Sequence, residues 1–263
     1  MASKNGFGAT QRKAMEEVTP SRKWSEDKVV LVFDLETTGV DVEEDVPVSF
    51  SLVQYAYGHV VFESHQIIDP GRSIPDESIA IHHITDEIAK SFGIPLTSAL
   101  TQLREALINA SELGWIVLGM NVSFDLTVVD RACKKYLGKG LLDTNYAAAT
   151  LDILILDRHL DRFRKGKRRL IDLATAYSVT TSEALHNSLV DSKVTLRVLL
   201  AMLDRYPELA ELSPSNYSSS MFAYNEEWLQ SFNKWRLSRG EESLPSKVWP
   251  IDFQEDSQPH PLS

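Results

Sequence analysis

The sequence predicts an α/β protein: a mixed five-stranded sheet flanked by helices, with a C-terminal helical extension. Three observations carry this. Apolar, β-branched runs at Val29–Phe33, Phe50–Tyr57 and Val60–Ile68 read as three successive strands close together in the chain. Two further apolar runs, Trp115–Met120 and Ala149–Leu156, alternate with stretches of helical periodicity, as strand–helix–strand units do. Near the C-terminal end, Trp228, Phe232 and Trp235 recur at spacings of four and three, which places them on one face of a helix.

Residues 1–27 are polar and of mixed charge, with no apolar stretch resembling an export signal, and are expected to form a flexible arm. Val29–Phe33 is continuously apolar, as a strand buried on both faces must be. The next two strands are joined through Gly58-His59, short enough for a tight hairpin. Pro70-Gly71 ends the third strand, and short helices are expected from Pro75 to about Lys90. Leu96–Glu112 reads as helical. A further helix should run from a cap at Asn121 or Ser123 to about Leu137, with Leu126, Val129, Cys133 and Leu137 on one face. After the strand at Ala149–Leu156 come a basic stretch, 158–169, a short helix at Leu170–Tyr177 and a long one at Ser188–Arg205. Ser213–Ser220 is rich in Ser and Asn and reads as a linker, followed by a helix over Phe222–Arg239. This gives one domain over 28–206, a linker with a helical extension over 207–253, and a disordered tail at 254–263. The extension is expected to dock on the domain; the sharper alternative is a helix that binds a polymerase or replisome partner.

Composition narrows the function. The chain of 263 residues is large enough for a substantial core, and no run of 18 apolar residues suggests a membrane span. The single cysteine, Cys133, excludes an internal disulfide and a cysteine-cluster zinc site and reads as a core residue; the expected compartment is cytoplasmic. A formal net charge of −10 argues against a non-specific duplex binder. It does not argue against a nucleic-acid enzyme whose carboxylates hold cations.

The carboxylates carry the chemistry. Asp34 and Glu36 stand two apart at the end of the first strand, so both side chains leave on the same side. Two acidic groups at the end of a buried strand are costly without a cation, and that cost points to metal. Thr37-Thr38-Gly39 follow, small residues that allow a ligand to approach the backbone. Asp125 lies in the first turn of a helix that starts at a strand end, where ligands of α/β sheets collect. His186 and Asp191 are five apart: a helix starting near Asn187 puts Asp191 one turn in and leaves His186 on the preceding loop, suited to a general base.

The order D-x-E, D, H-x4-D resembles the DEDDh exonucleases, in particular the group like the proofreading epsilon subunit of bacterial DNA polymerase III. Val32 through Gly39 is similar to the family's first motif, Asn121-Val122-Ser123-Phe124-Asp125 to its N-x-x-F-D motif, and His186 through Asp191 to its third. Ile74 through Thr85 resembles the family's P-E-x4-H-G-I-T stretch, with Glu77 and His82 at the nucleotide-contacting positions and His83 where Gly is usual. The resemblance covers about Lys28 to Arg205. It implies an RNase H-like fold and removal of nucleotides from the 3′ end of single-stranded or frayed DNA, releasing nucleoside 5′-monophosphates in proofreading or repair. It also implies two Mg²⁺ or Mn²⁺ ions held by Asp34, Glu36 and Asp191, with Asp125 a ligand directly or through water. His186 would be the base, and Leu35, Thr37, Glu77, His82, Asn121 and Phe124 would contact substrate. RNA as substrate, or a silent nucleic-acid-binding protein on the same fold, are the alternatives. The basic run 158–169 could hold the strand backbone, or be a solvated loop.

Overall fold

The computed structural model describes residues 19–181 and 187–252. Its sheet has six strands. Strands β1 (Val29–Thr37), β2 (Pro47–Ala56) and β3 (His59–Asp69) form an antiparallel meander. Strands β5 (Ile116–Gly119) and β6 (Ala149–Asp152) extend it in parallel on the far side of β1. The sixth strand, β4, is the pair Ile94–Pro95 beside Ile68 and Asp69, and it raises the expected five strands to six. Two residues are too few to leave a periodic signature. The β2–β3 turn is Tyr57-Gly58 rather than Gly58-His59: both turn residues have positive φ, 55° and 80°, as the hairpin turns that follow strand twist require.

Strand β1 is sandwiched. Val30 and Val32 pack into one buried cluster, with residues of α6 (Ile153–Leu160), α7 (Leu170–Ala176), α8 (Ser188–Arg205) and α10 (Pro214–Ser238). Leu31, Phe33 and Leu35 pack into the other, with α4 (Leu96–Glu112) and α5 (Val122–Leu137). This two-sided burial is why the strand is apolar without alternation. Helices α2 (Asp76–His82) and α3 (Asp86–Phe92) cover the loop after β3, and a single-turn α9 (Glu208–Glu211) joins α8 to α10. No described helix is long and apolar enough to cross a membrane.

Three expectations change at the edges. The arm expected over 1–27 holds a helix in its last part, α1 (Pro20–Ser25), capped by the Thr19 hydroxyl and anchored by Trp24. The Trp24 indole is 3% exposed and donates to the Tyr217 hydroxyl at 2.9 Å. The linker expected at Ser213–Ser220 is the first two turns of α10: Pro214 starts the helix, and burial of Tyr217 and Met221 outweighs the weak helix propensity of Ser and Asn. The strand expected over Ala149–Leu156 stops at Asp152, whose carboxylate caps α6 through the amides of Leu154 and Ile155.

Candidate active site

The alternation that builds the two cores also delivers the carboxylates. Asp34 and Glu36 continue the Val30/Val32 face of β1, the face covered by α8. Their cross-strand neighbours in β2 are Ser51 and Ser49. Both serines are fully buried and meet Ser188 and Ser192 of α8: Ser51 Oγ donates to the Ser188 carbonyl at 2.7 Å and lies 2.8 Å from Ser192 Oγ, and Ser49 Oγ is 3.4 Å from Ser188 Oγ. Small side chains let the helix approach the sheet closely, and each hydroxyl finds a partner in the process. Asn187 caps α8, accepting from Leu189 and Val190, and puts Asp191 in the first turn. Carboxylate oxygens of Asp34, Glu36 and Asp191 thereby lie within 4.8 Å of one another.

Asp125 arrives from the other helical layer. It lies in the first turn of α5, is 6% exposed and accepts from the Leu35 amide. The β5–α5 turn that places it is tight. Asn121 takes the left-handed conformation, φ 59°, and a Cβ on Gly119 would sit 2.7 Å from a Val122 methyl. Asn121 stands at the cap position, but its side chain does not cap the helix; instead Asp152 reaches over from β6 to accept from the Val122 amide at 2.9 Å.

These groups repel each other in a place with little water. Burial, then the charges of Asp125, Asp191 and Glu36, holds the Asp34 carboxyl well above the ordinary range. Burial, then Asp191, pushes Glu36 up to about 7. Asp125 is raised by burial and by Asp152 and Glu36, against the opposing pull of backbone amides. No lysine or arginine forms an ion pair with Asp34, Glu36 or Asp125 among the described residues. Convergent hard oxygen donors are the donor set of Mg²⁺ or Mn²⁺, so the residues present fit such an ion.

Residues 31–199 match the family model for the RNase_T exonucleases. The chain belongs to this exonuclease family. A similar stretch occurs in the PolC-type DNA polymerase III of Pediococcus pentosaceus, 30% identical over 63% of this chain and 11% of that protein. In the Staphylococcus aureus protein of the same name it is 26% identical over 74% of this chain and 13% of that protein. The chain thus spans about an eighth or less of these relatives. Among solved structures, E. coli exonuclease I in complex with a dA16 oligonucleotide aligns with a TM-score of 0.61 at 19% identity, over 70% of this chain and 42% of that one. Exonuclease I from Methylocaldum szegediense aligns with a TM-score of 0.59 at 21% identity, over 77% and 45%. At these identities the likeness is one of fold.

The exonuclease places its other expected site residues unevenly. His186 lies outside the described residues. Leu35 is 8% exposed and its side chain belongs to the core. The Thr37 hydroxyl donates to the Gly39 carbonyl at 2.6 Å, holding the end of β1 in its turn. His82 is buried at the end of α2: Nδ1 accepts from the Ile84 amide at 3.0 Å, and the ring faces the Thr37 carbonyl. Burial, then His83, lowers its pKa, which favours the neutral ring. Glu77 is exposed on the first turn of α2, next to Ser78, whose hydroxyl donates to the Thr38 carbonyl at 2.8 Å. His83 is exposed and left-handed, φ 62°, at the C-cap of α2, a conformation that Gly adopts with least strain. Asn121 is exposed beside half-buried Phe124 on one side of Asp125.

Two features were missed by sequence reasoning. The seryl layer left a signal, Ser49 and Ser51 two apart on a strand and Ser188 and Ser192 four apart on a helix, and both pairs share a face. Asp152, which joins β6, α5 and α6, was signalled only by an acidic residue before an apolar helix. Four of the five arginines in the basic stretch 158–169 are held in ion pairs, while Lys165 and Lys167 are exposed. Arg164 and Arg168 both pair with fully buried Asp157, which also accepts from Tyr177 at 3.1 Å; Arg162 pairs with Glu227 and Arg169 with Asp172.

Proposed function

We propose that this exonuclease is a divalent-metal-dependent 3′–5′ enzyme acting on single-stranded or frayed DNA and releasing nucleoside 5′-monophosphates. The observation that carries the reading is the convergence of Asp34, Glu36 and Asp191 within 4.8 Å, with buried Asp125 alongside. Asp34, Glu36 and Asp191 would hold Mg²⁺ or Mn²⁺, two ions in all, with Asp125 a ligand directly or through water. Bound there, the ions would supply Lewis-acid charge at the scissile phosphate and lower the pKa of the attacking water.

The chain's own residues do the rest. His186, five residues before Asp191, is the proposed base that takes the proton from the water. The backbone of Leu35 braces the Asp125 carboxylate, and the seryl layer holds Asp191 against β1, so the cluster is rigid before substrate arrives. Glu77, His82 and the Thr37–Gly39 turn form the wall proposed to receive the terminal nucleotide, with Asn121 and Phe124 on the opposite side. DNA rather than RNA is favoured because the relatives are named as DNA polymerases, and a single strand because related folds were solved with oligonucleotides. The same names support a role in replication proofreading or repair beside a polymerase, with the exposed outer face of α10, including Trp235 and Leu237, as the surface for such a partner.

The test follows 3′- and 5′-labelled DNA and RNA strands with Mg²⁺, Mn²⁺ or EDTA, next to Asp191→Ala. Metal-dependent release of the 3′ label first, from DNA and absent in the variant, is the expected result. Faster loss from RNA would reassign the substrate, and no cleavage by folded, metal-loaded protein would sink the enzymatic reading.

A further inference from the structure

Between the start of α5, α6 and α10 lies a cleft of about 360 Å³. One wall holds Asn121 and Phe124, and Phe124 directly precedes Asp125 in the chain. The other is built outside the part that matches the family: Trp228 of α10 and the segment Leu244–Asp252 that returns to α5. This return is firmly tied. Ile251 is 2% exposed in the core, the Asp252 amide donates to Thr127 Oγ1 at 3.0 Å, and Arg131 donates to the Asp252 carbonyl at 2.9 Å.

Arg158 projects into this cleft. Its guanidinium carbon lies over the Trp228 ring, 3.7 Å from the centroid. It is the one arginine between 158 and 169 without a carboxylate partner among the described residues, and none of its N–H groups meets an acceptor there. It is half-buried, and burial lowers its pKa against the pull of Asp152. The Asp152 carboxylate is itself occupied by the amides of Val122 and Leu154 at 2.9 and 2.8 Å. A planar cation pinned to an aromatic face, with free donors towards a cleft, suits a phosphate oxygen bound in a fork. The aromatic platform continues outwards: Trp228 stacks on Phe232 at 5.0 Å and Phe232 on Trp235 at 5.4 Å, with interplanar angles of 13° and 20°. This stack backs Trp228 and so holds the Arg158 guanidinium in place.

We propose that this cleft is a subsite for the strand upstream of the terminal nucleotide, with Arg158 on a phosphate and the Trp228 and Leu244–Trp249 walls against the bases. It rests on the exonuclease reading above and extends it to a region that the family match does not cover. Asn121 and Phe124, the proposed substrate contacts, line the cleft, and this commits it to the substrate strand rather than to a separate small ligand.

The test measures binding of fluorescein-labelled decathymidylate and of thymidine 5′-monophosphate, with Ca²⁺ in place of the activating metal. Arg158→Gln should weaken decathymidylate about tenfold and reduce its log–log salt slope by about 0.7, one phosphate contact on a single strand, with far less effect on the mononucleotide. Trp228→Leu should lose a similar factor and Trp228→Phe recover most of it. Equal losses for both probes, or none, would overturn the subsite. Wild-type protein gives an arm independent of variant folding: 4-thiothymidine placed second or third from the 3′ end should photo-crosslink to Trp228 or to 244–249, and crosslinks confined elsewhere would overturn the proposal. Crosslinking here without hydrolysis in Mg²⁺ or Mn²⁺ would instead count against the enzymatic reading alone.

Discussion

Replacing Glu36 by Gln should make the metal-free protein more stable at neutral pH while impairing it as an exonuclease. Glu36 sits among carboxylates with little water, and burial and then Asp191 lift its pKa from 4.5 to about 7. Below about pH 4.5 the group is protonated in both folded and unfolded chains, and folding carries no penalty from it. Between about 4.5 and 7 the unfolded chain ionises first, so stability falls as pH rises; above about 7 the full penalty is present. At 1.36 kcal/mol per pKa unit that penalty is about 3 kcal/mol. The neighbouring carboxyls Asp34 and Asp125 are raised too, so they push in the same direction. An uncharged isostere removes the Glu36 contribution. In EDTA at pH 8 the melting midpoint of Glu36→Gln should exceed that of the wild type by about 5–10 °C, and the two should converge near pH 4.5. Mg²⁺ should raise the wild-type midpoint and the variant's much less. The assay is thermal unfolding by circular dichroism from pH 4.5 to 8, with EDTA or Mg²⁺. A wild-type profile flat between pH 5 and 7.5, or a variant that melts below wild type in EDTA at pH 8, would refute the account of these carboxyls as mutually repelling and cation-dependent.

Other consequences are testable with the same protein. Asp34→Ala should abolish hydrolysis without unfolding the domain, since it removes a charge that opposes folding; single-turnover release of a 3′ label checks it, and full activity would discard the proposed ligand set. His186→Ala should slow hydrolysis by about 10²-fold while Mn²⁺ still binds by calorimetry, and an unchanged rate would remove His186 as the base. Asp157→Ala should cost about 3–5 kcal/mol in denaturant unfolding, because it strands Arg164 and Arg168 in a largely buried site; a loss below 1 kcal/mol would contradict the view of the basic stretch as structural. Asn121→Gly should leave the melting midpoint nearly unchanged while Asn121→Ala lowers it by about 1 kcal/mol equivalent, since only the former accepts φ 59° without strain.

Legibility in the sequence followed signal length and locality. Helices α4, α5 and α8 were readable because each repeats its apolar face over four turns or more, and α8 starts and ends where its Asn cap and apolar spacing put it. The central strand was readable because two-sided burial leaves no polar interruption. The β6–α6 boundary was not, since Ile153-Leu154-Ile155-Leu156 suits either state and only the Asp152 cap decides it. The start of α10 was hidden for the opposite reason. Its Ser and Asn content reads as a linker, and the burial of Tyr217 under Trp24, 193 residues away in sequence, overrides it. In the site, strand alternation was enough to pair Asp34 with Glu36. Their meeting with Asp191 depends on how closely α8 approaches the sheet, which four buried serines set across 137 residues or more. Pairings of that kind have no local signature.

The distribution of charge ties these points to function. A chain of net charge −10 cannot attract a nucleic-acid strand by its overall field, and four arginines of the basic stretch are held by Asp157, Glu227 and Asp172. Those ion pairs have a structural purpose: they fix α6 and α7 and, through Glu227 of α10, brace the extension against the domain. Positive charge to meet a phosphate is then local: Arg158 on its tryptophan face, in the cleft that Asn121 and Phe124 line, and whatever cations the carboxylates recruit. A strand held that way would be gripped at its end rather than along its length. That suits an enzyme whose substrate is a terminus, and it makes the cation both the price-setter of stability in the empty site and the main source of positive charge in the filled one.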